Sequence, residues 1–335
     1  MLEGRKVPDL EHLRRAYAAT SRATQITPLL NAPSIASVVG AAQVFVKAES
    51  LQWGGSFKSR GAYWRLLQLS PAEARRGVVA FSSGNFAQGL AAAGQALGIP
   101  VTIVMPIDAP AAKRDATAGY GARVVQTDHG ERPREEVAAA KARDIAADEG
   151  LALLHPFDDP EIVAGQAGVG LEALEQLAAL GATVDLVLCP AGGGGLIGGL
   201  SLAFHYLSPA TRVLPVEPEG FDGLRRSLAA GTIDPAPPGG ASICDGLMAR
   251  RPGEAPWAAI RAAGIADGVA IDDAAVRAAM KLAFERMKLV LEPSGAATLA
   301  ALLAGKADSA GKTVLLIASG GNVSLPDFQR QAAHE

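Results

Sequence analysis

Leu186-Val187-Leu188-Cys189-Pro190-Ala191-Gly192-Gly193-Gly194-Gly195-Leu196 is an apolar run, a turn of consecutive glycines and the opening of a helix. A strand that feeds a helix through a glycine turn is the joint of α/β architecture, in which crossover helices link parallel strands. The same alternation extends outward in both directions. Residues 44–47, 78–81, 101–104, 123–126, 186–189, 212–216 and 314–318 read as strands, and residues 86–96, 133–149, 165–180 and 274–287 as helices. Asp272-Asp273 supplies an N-terminal cap for the last of these. Residues 232–240, with three prolines, read as a surface loop.

Three of the strands fall within residues 77–157, which predicts a small domain there. The large domain would then comprise 1–76 and 158–335. A chain of 335 residues, 49% of them apolar, can bury two cores. The net charge of −3 and the lack of a basic run argue against nucleic acid or an anionic membrane as partner. Cys189 and Cys244, the two cysteines, have no CxxC spacing. Met1 to Asp9 carries no apolar targeting core, and no apolar run is long enough to span a bilayer. These features predict a reduced, cytoplasmic protein. The five histidines form no metal-binding spacing, and Gly-x-Ser-x-Gly is absent.

Backbone N–H groups of Gly192, Gly193, Gly194 and Gly195 can turn inward at a helix N-terminus, which makes a phosphate cradle. Gly193, Gly195 and Gly198 also satisfy GxGxxG, with Glu217 ending the next strand, so a nicotinamide dinucleotide is the competing ligand. Ser82-Ser83-Gly84-Asn85-Phe86 follows strand 78–81 and opens a helix, a site for a carboxylate. Ser319-Gly320-Gly321-Asn322 follows strand 314–318. Ligands of open α/β sheets bind at the carboxyl ends of strands, so these loops predict one crevice. In Ser56-Phe57-Lys58-Ser59-Arg60-Gly61-Ala62, a lysine lies beside an aromatic ring at a helix start. A partly desolvated lysine sheds its proton readily and can form a Schiff base.

In this order the motifs resemble the fold-type II pyridoxal-phosphate enzymes of the threonine dehydratase/serine racemase family. The resemblance runs from Thr27-Pro28-Leu29 through SFKSRGA, SSGNFAQG, HPFDDPEIVAGQ, GGGGL, SICDGLMARRPGE and EPSGAATLAAL to SGGNV. It implies two open twisted sheets with flanking helices, tryptophan synthase β-like, and an active site in the cleft between domains. It also implies that Lys58 carries pyridoxal phosphate with Phe57 beside the ring. Gly192 to Gly195 would bind the phosphate, Asn85 the 3′-oxygen and Ser319 the pyridine nitrogen. Ser82, Ser83, Asn85, Phe86 and Arg134 would meet the amino-acid substrate, and a homodimer is the implied assembly.

Departures from the family pattern bear on chemistry. Phe86 stands where such enzymes have histidine, and Ala249 replaces another polar contact. Ser83 matches the racemase-type serine and Arg134 a racemase-type arginine. Glu217 matches a divalent-metal ligand, but Gly223 occupies the usual aspartate position and Asp222 is one residue early, so solvated carboxylates without a metal are expected. The expected reaction is dehydration of a β-hydroxy amino acid such as threonine or serine to a 2-oxo acid and ammonia. A serine racemase-type activity, or a phenylserine or hydroxyaspartate dehydratase, is the alternative. A nicotinamide oxidoreductase would leave Lys58 without a role. Because the chain ends soon after SGGN, no appended regulatory domain is expected.

Overall fold

The computed structural model of the chain describes residues 7–130, 132 and 134–333. Its strands are β1 (Leu29–Asn31), β2 (Gln43–Ala48), β3 (Val78–Phe81), β4 (Val101–Pro106), β5 (Arg123–Thr127), β6 (Ala152–Leu154), β7 (Leu186–Pro190), β8 (Arg212–Pro218), β9 (Val269–Ile271) and β10 (Thr313–Ala318). They form two sheets with helices on their faces. The larger runs β1-β2-β10-β7-β8-β9 and the smaller β5-β4-β3-β6. Only β1, at the edge, pairs antiparallel with its neighbour β2; the other pairs are parallel.

Both faces of each sheet are buried, as parallel strands covered by crossover helices require. Val44, Val46, Leu186, Leu188, Val314 and Leu316 enter the core on one face of the larger sheet. Phe45, Val187, Cys189, Leu315 and Ile317 enter the core on the other. The period-2 alternation of side chains sends consecutive residues to opposite cores, so the strands read as continuous apolar runs. In the smaller sheet Val78, Ala80 and Ile103 face one cluster, and Val79 and Val104 the other. Cys189 and Cys244 are buried and unpaired. Among the described residues no helix is long and apolar enough to cross a membrane.

Several elements differ in extent from the sequence expectation. The helix over 165–180 is two helices, Pro160–Gln166 and Gly168–Ala179, joined at Ala167. The helix over 274–287 is α-helical from Asp273 to Leu282 and continues as a π-helical turn over Ala283–Met287. Asp272 caps it, its carboxylate accepting from the Ala275 N–H at 2.7 Å. The helix expected over 133–149 is described from Arg134 to Glu149, with Pro133 outside the described residues.

The arrangement that matters for function is the adjacency of β2, β10 and β7. Their carboxyl ends lie side by side and emit, in that order, the chain leading to Lys58, the Ser319 loop and the four-glycine loop. The smaller sheet contributes the Ser82–Asn85 loop from the carboxyl end of β3.

Candidate active site

Lys58 is the first residue of the helix Lys58–Leu67. The turn before it uses Gly54 and Gly55 in the left-handed region, at φ 62° and 68°, where a side chain would be strained. A Cβ on Gly55 would also lie 2.1 Å from Asn322 Oδ1. The Phe57 N–H then donates to the Ser319 carbonyl at 3.1 Å, tying the lysine segment to the end of β10. Lys58 Nζ lies 5.1 Å from the centre of the Phe57 ring and 5.9 Å from that of Phe86, and donates at 3.4 Å to the Pro156 carbonyl. Desolvation pulls its pKa down to about 8, with the nearby Glu292 opposing. The side chain retains some surface on the cleft, but the ammonium is ringed by aromatic and carbonyl groups.

A buried ionic cluster holds that helix. Arg60 Nε and Nη2 donate to the two oxygens of Glu49, each at 2.8 Å, while Nη1 and Nη2 reach Glu172 at 3.0 and 2.8 Å. Lys47 Nζ donates to Glu172 at 2.6 Å. All four side chains are at most 1% exposed. Burial works against the Arg60 charge, but the two carboxylates outweigh it. The partners of Arg60, Glu49 in the turn directly after β2 and Glu172 on Gly168–Ala179, could not be read from local sequence.

The glycine loop shows why glycine fills it. A Cβ on Gly192 would approach Leu247 Cα to 2.9 Å, one on Gly193 the Phe157 ring to 2.4 Å, and one on Gly194 the Pro256 side chain to 2.8 Å. Gly194 has φ 93° and precedes the helix Gly195–Leu207. Among the described residues no group accepts from the N–H of Gly192, Gly193, Gly194 or Gly195. Orphaned amides at a helix N-terminus fit a phosphate dianion. Ser319, 3% exposed, donates no closer than 3.5 Å to the Ser294 carbonyl, so its hydroxyl is free to meet a ring nitrogen.

Asn85 begins the helix Asn85–Leu97. Its Oδ1 accepts from Asn322 Nδ2 at 2.9 Å, and Asn322 also donates to the Gly54 carbonyl at 2.5 Å. Asn85 Nδ2 donates to Glu292 Oε1, a residue the sequence reading quoted in EPSGAATLAAL and assigned no role. Glu292 is 1% exposed, and its Oε2 has no hydrogen-bond partner among the described residues. Lys113, on the helix Ala111–Gly119, bonds Asp245 closely and stands 3.9 Å from Glu292 Oε2. Ser82 Oγ accepts from the Gly84 N–H at 3.2 Å, and Ser83 Oγ accepts from Arg134 Nη2 at 3.2 Å. Arg134 also bonds Asp108 at 3.2 Å.

One expectation needs correction. Glu217 is not solvated: it is fully buried at the end of β8, its two oxygens accepting the N–H groups of Leu224 and Arg225 at 2.8 and 2.7 Å. It caps the helix Gly223–Ala230, and burial pushes its carboxyl up to about 8 despite those amides. The same contacts remove it as the ribose ligand of a nicotinamide dinucleotide. Asp222 pairs with Arg225 instead, Nε donating at 3.0 Å. Phe86 is 2% exposed and packs with Leu66, Leu90 and Ile103, with Lys58 Nζ 5.9 Å from its ring centre.

These features agree with comparison to known proteins. A family profile described as pyridoxal-phosphate dependent enzyme matches residues 20–320. The chain is 40% identical over 286 residues to the catabolic L-threonine dehydratase of Escherichia coli, covering 84% of each chain. It is 38% identical over 306 residues to an L-threo-3-hydroxyaspartate ammonia-lyase of Saccharomyces cerevisiae, covering 90% of this chain and 89% of the yeast one. The solved structure of maize serine racemase superimposes with a TM-score of 0.89 at 35% identity, covering 98% of both chains. A lysine desolvated at a helix start, four unclaimed glycine amides and a free serine hydroxyl at three neighbouring strand ends thus have a common explanation: the chain belongs to the pyridoxal-phosphate dependent enzyme family.

Proposed function

We propose that the chain dehydrates a β-hydroxy amino acid, releasing a 2-oxo acid and ammonia. The single observation that carries this reading is Lys58, a lysine whose proton is released near pH 8 at the meeting point of the glycine, Ser319 and Asn85 loops. The names of the Escherichia coli and yeast relatives, a threonine dehydratase and a hydroxyaspartate ammonia-lyase, support the same reaction class.

Pyridoxal phosphate, when bound, supplies the electron sink for the substrate's α-carbon. Lys58 would hold the cofactor through its Nζ, and its neutral amine is the base that would take the α-proton. Gly192 to Gly195 hold the phosphate through their amides. Ser319 gives the ring nitrogen a hydroxyl partner, which does not force protonation there as a carboxylate would and so favours prompt elimination. Asn85 would be the partner of the ring's 3′-oxygen. The N–H groups of the Ser82–Asn85 loop, at a helix N-terminus, take the substrate carboxylate. Residues 77–157 form the small domain, which supplies the Ser82–Asn85 loop to the site. The working assembly is a cytoplasmic homodimer with an amino acid as its small-molecule partner.

A second reading is favoured by one contact. Ser83 Oγ accepts from Arg134, leaving its own proton available for donation beside a cation. Racemisation and elimination start from the same deprotonated α-carbon, so a racemase activity can accompany the dehydratase. The test is a panel of serine, threonine, phenylserine and hydroxyaspartate isomers, assayed for 2-oxo acid and for inversion. Release of 2-oxo acid from at least one isomer is expected. Inversion without release across the panel would make the chain a racemase alone.

A further inference from the structure

Glu292 is a buried carboxylate in contact with the proposed cofactor loops, and its setting is unusual. Its Oε1 accepts from Asn85, its N–H donates to the Gly320 carbonyl at 3.2 Å, and a Cβ on Gly320 would strike Oε1 at 2.2 Å. Gly320 is therefore the residue that lets this carboxyl approach Asn85. Among the described residues Oε2 is buried without a hydrogen-bond partner, which is costly for an ionised carboxylate and far less so for a carboxylic acid that can donate. The charged groups facing it are Lys113 from Ala111–Gly119, Asp245 from the turn Asp245–Leu247, and Lys58 from Lys58–Leu67. Lys113 is committed to Asp245 and stays outside hydrogen-bond reach of Oε2.

We propose that Glu292 is a proton-exchanging positioning residue of the cofactor site: Oε1 fixes the Asn85 amide, and a proton on Oε2 makes the carboxyl a donor toward the ring oxygen that Asn85 faces. In the acid form the carboxyl and the Asn85 amide both support an ionised ring oxygen. In the ionised form the carboxylate repels it, and Asn85 alone remains. Burial, with Asp245 adding to it and Lys113 and Asn85 opposing, holds the carboxyl at about 7, so both forms are populated around neutral pH. The assignment adds a second titrating group to Lys58 and requires the Asn85–ring-oxygen arrangement, but not the identity of the substrate.

The experiment is a pH titration of the holoenzyme's cofactor absorbance between about pH 6 and 9, without substrate, so it stands whatever the panel assay gives. The near-visible band, which needs an ionised ring oxygen, should lose intensity to a shorter-wavelength band as pH rises through the Glu292 transition. In Glu292→Gln, a permanent neutral donor and acceptor, that transition should vanish. In Lys113→Met, removal of the facing cation should raise its midpoint by about one unit. A wild-type enzyme with no transition in this range, or a Glu292→Gln holoenzyme that keeps the wild-type midpoint, overturns the proposal. If Glu292→Gln does not retain cofactor, Lys113→Met decides: an unmoved midpoint overturns the proposal, and an upward shift supports it.

Discussion

A lysine that must be neutral near physiological pH is controlled by its surroundings more than by its own contacts, and at Lys58 those surroundings are two aromatic rings and a carbonyl. Ser83 is the counterpart whose role is decided by geometry across the cofactor. In the proposed arrangement it lies on the face opposite Lys58, and its Oγ is polarised by Arg134 at 3.2 Å. Loss of a general acid or base typically costs about a hundred-fold or more. Ser83→Ala should therefore abolish most inversion at the α-carbon, while elimination from the isomer whose proton Lys58 removes falls less. Both activities, measured with each enantiomer, check this; unchanged rates would reduce Ser83 to part of a helix-opening turn. Lys58, Ser83 and Asn85 were marked as candidates by the sequence because each lies in a short local motif, the first after a glycine turn and the others after a strand. Glu292 was not, because its meaning depends on Asn85, 207 residues away in the chain. Its one sequence signal is an acidic residue directly before a proline that opens an apolar helix, an ordinary N-terminal pattern.

Between strands and helices, the four-glycine loop carries the sharpest element-scale demand. Gly194 combines φ 93° with a neighbour 2.8 Å from its would-be Cβ, so both backbone and space exclude a side chain. Gly194→Ala should distort the amide cradle and weaken pyridoxal phosphate binding at least ten-fold, with apparent stability largely recovered at saturating cofactor. Cofactor titration followed by absorbance, alongside thermal unfolding with and without cofactor, separates these effects. The long central strands were readable because burial on both faces leaves unbroken apolar runs. The edge strands β1, β6 and β9 span three residues each and are too short to show any periodicity. The break at Ala167 has one local signal, the weak helix formers Gly165, Gly168 and Gly170 around it; Ala167 itself keeps helical angles, φ −59° and ψ −22°.

Across the whole molecule, the helix Lys58–Leu67 joins the two sheets. Ala62 and Leu66 sit in a core of the smaller sheet, whereas Arg60 is clamped to Glu49 and Glu172 beneath the larger one. Removing Arg60 would leave the buried Glu49 without its cation and Glu172 with Lys47 alone, and breaking such a cluster costs about 3–5 kcal/mol. Arg60→Met should lower the urea midpoint accordingly and loosen the cofactor, because Lys58 lies on the same first turn. Buried carboxyls also set the pH response of folding. Glu217 has a folded pKa of about 8 against an ordinary value of 4.5, so the native state binds the extra proton between those limits. Its contribution to stability is then fully present below about pH 4.5 and is lost as pH rises through about 8. Glu292, held at about 7, acts in the same direction. Stability should consequently fall between pH 5 and 8 in the wild-type protein, where exposed carboxylates no longer titrate. Glu217→Gln cannot ionise, so its urea midpoint should decline less steeply over that range. It will be less stable at pH 5, since an amide oxygen must serve the N–H groups of both Leu224 and Arg225. Parallel declines in the two proteins would mean that Glu217 stays ionised in the folded state, its charge held by those two amides and the helix they begin.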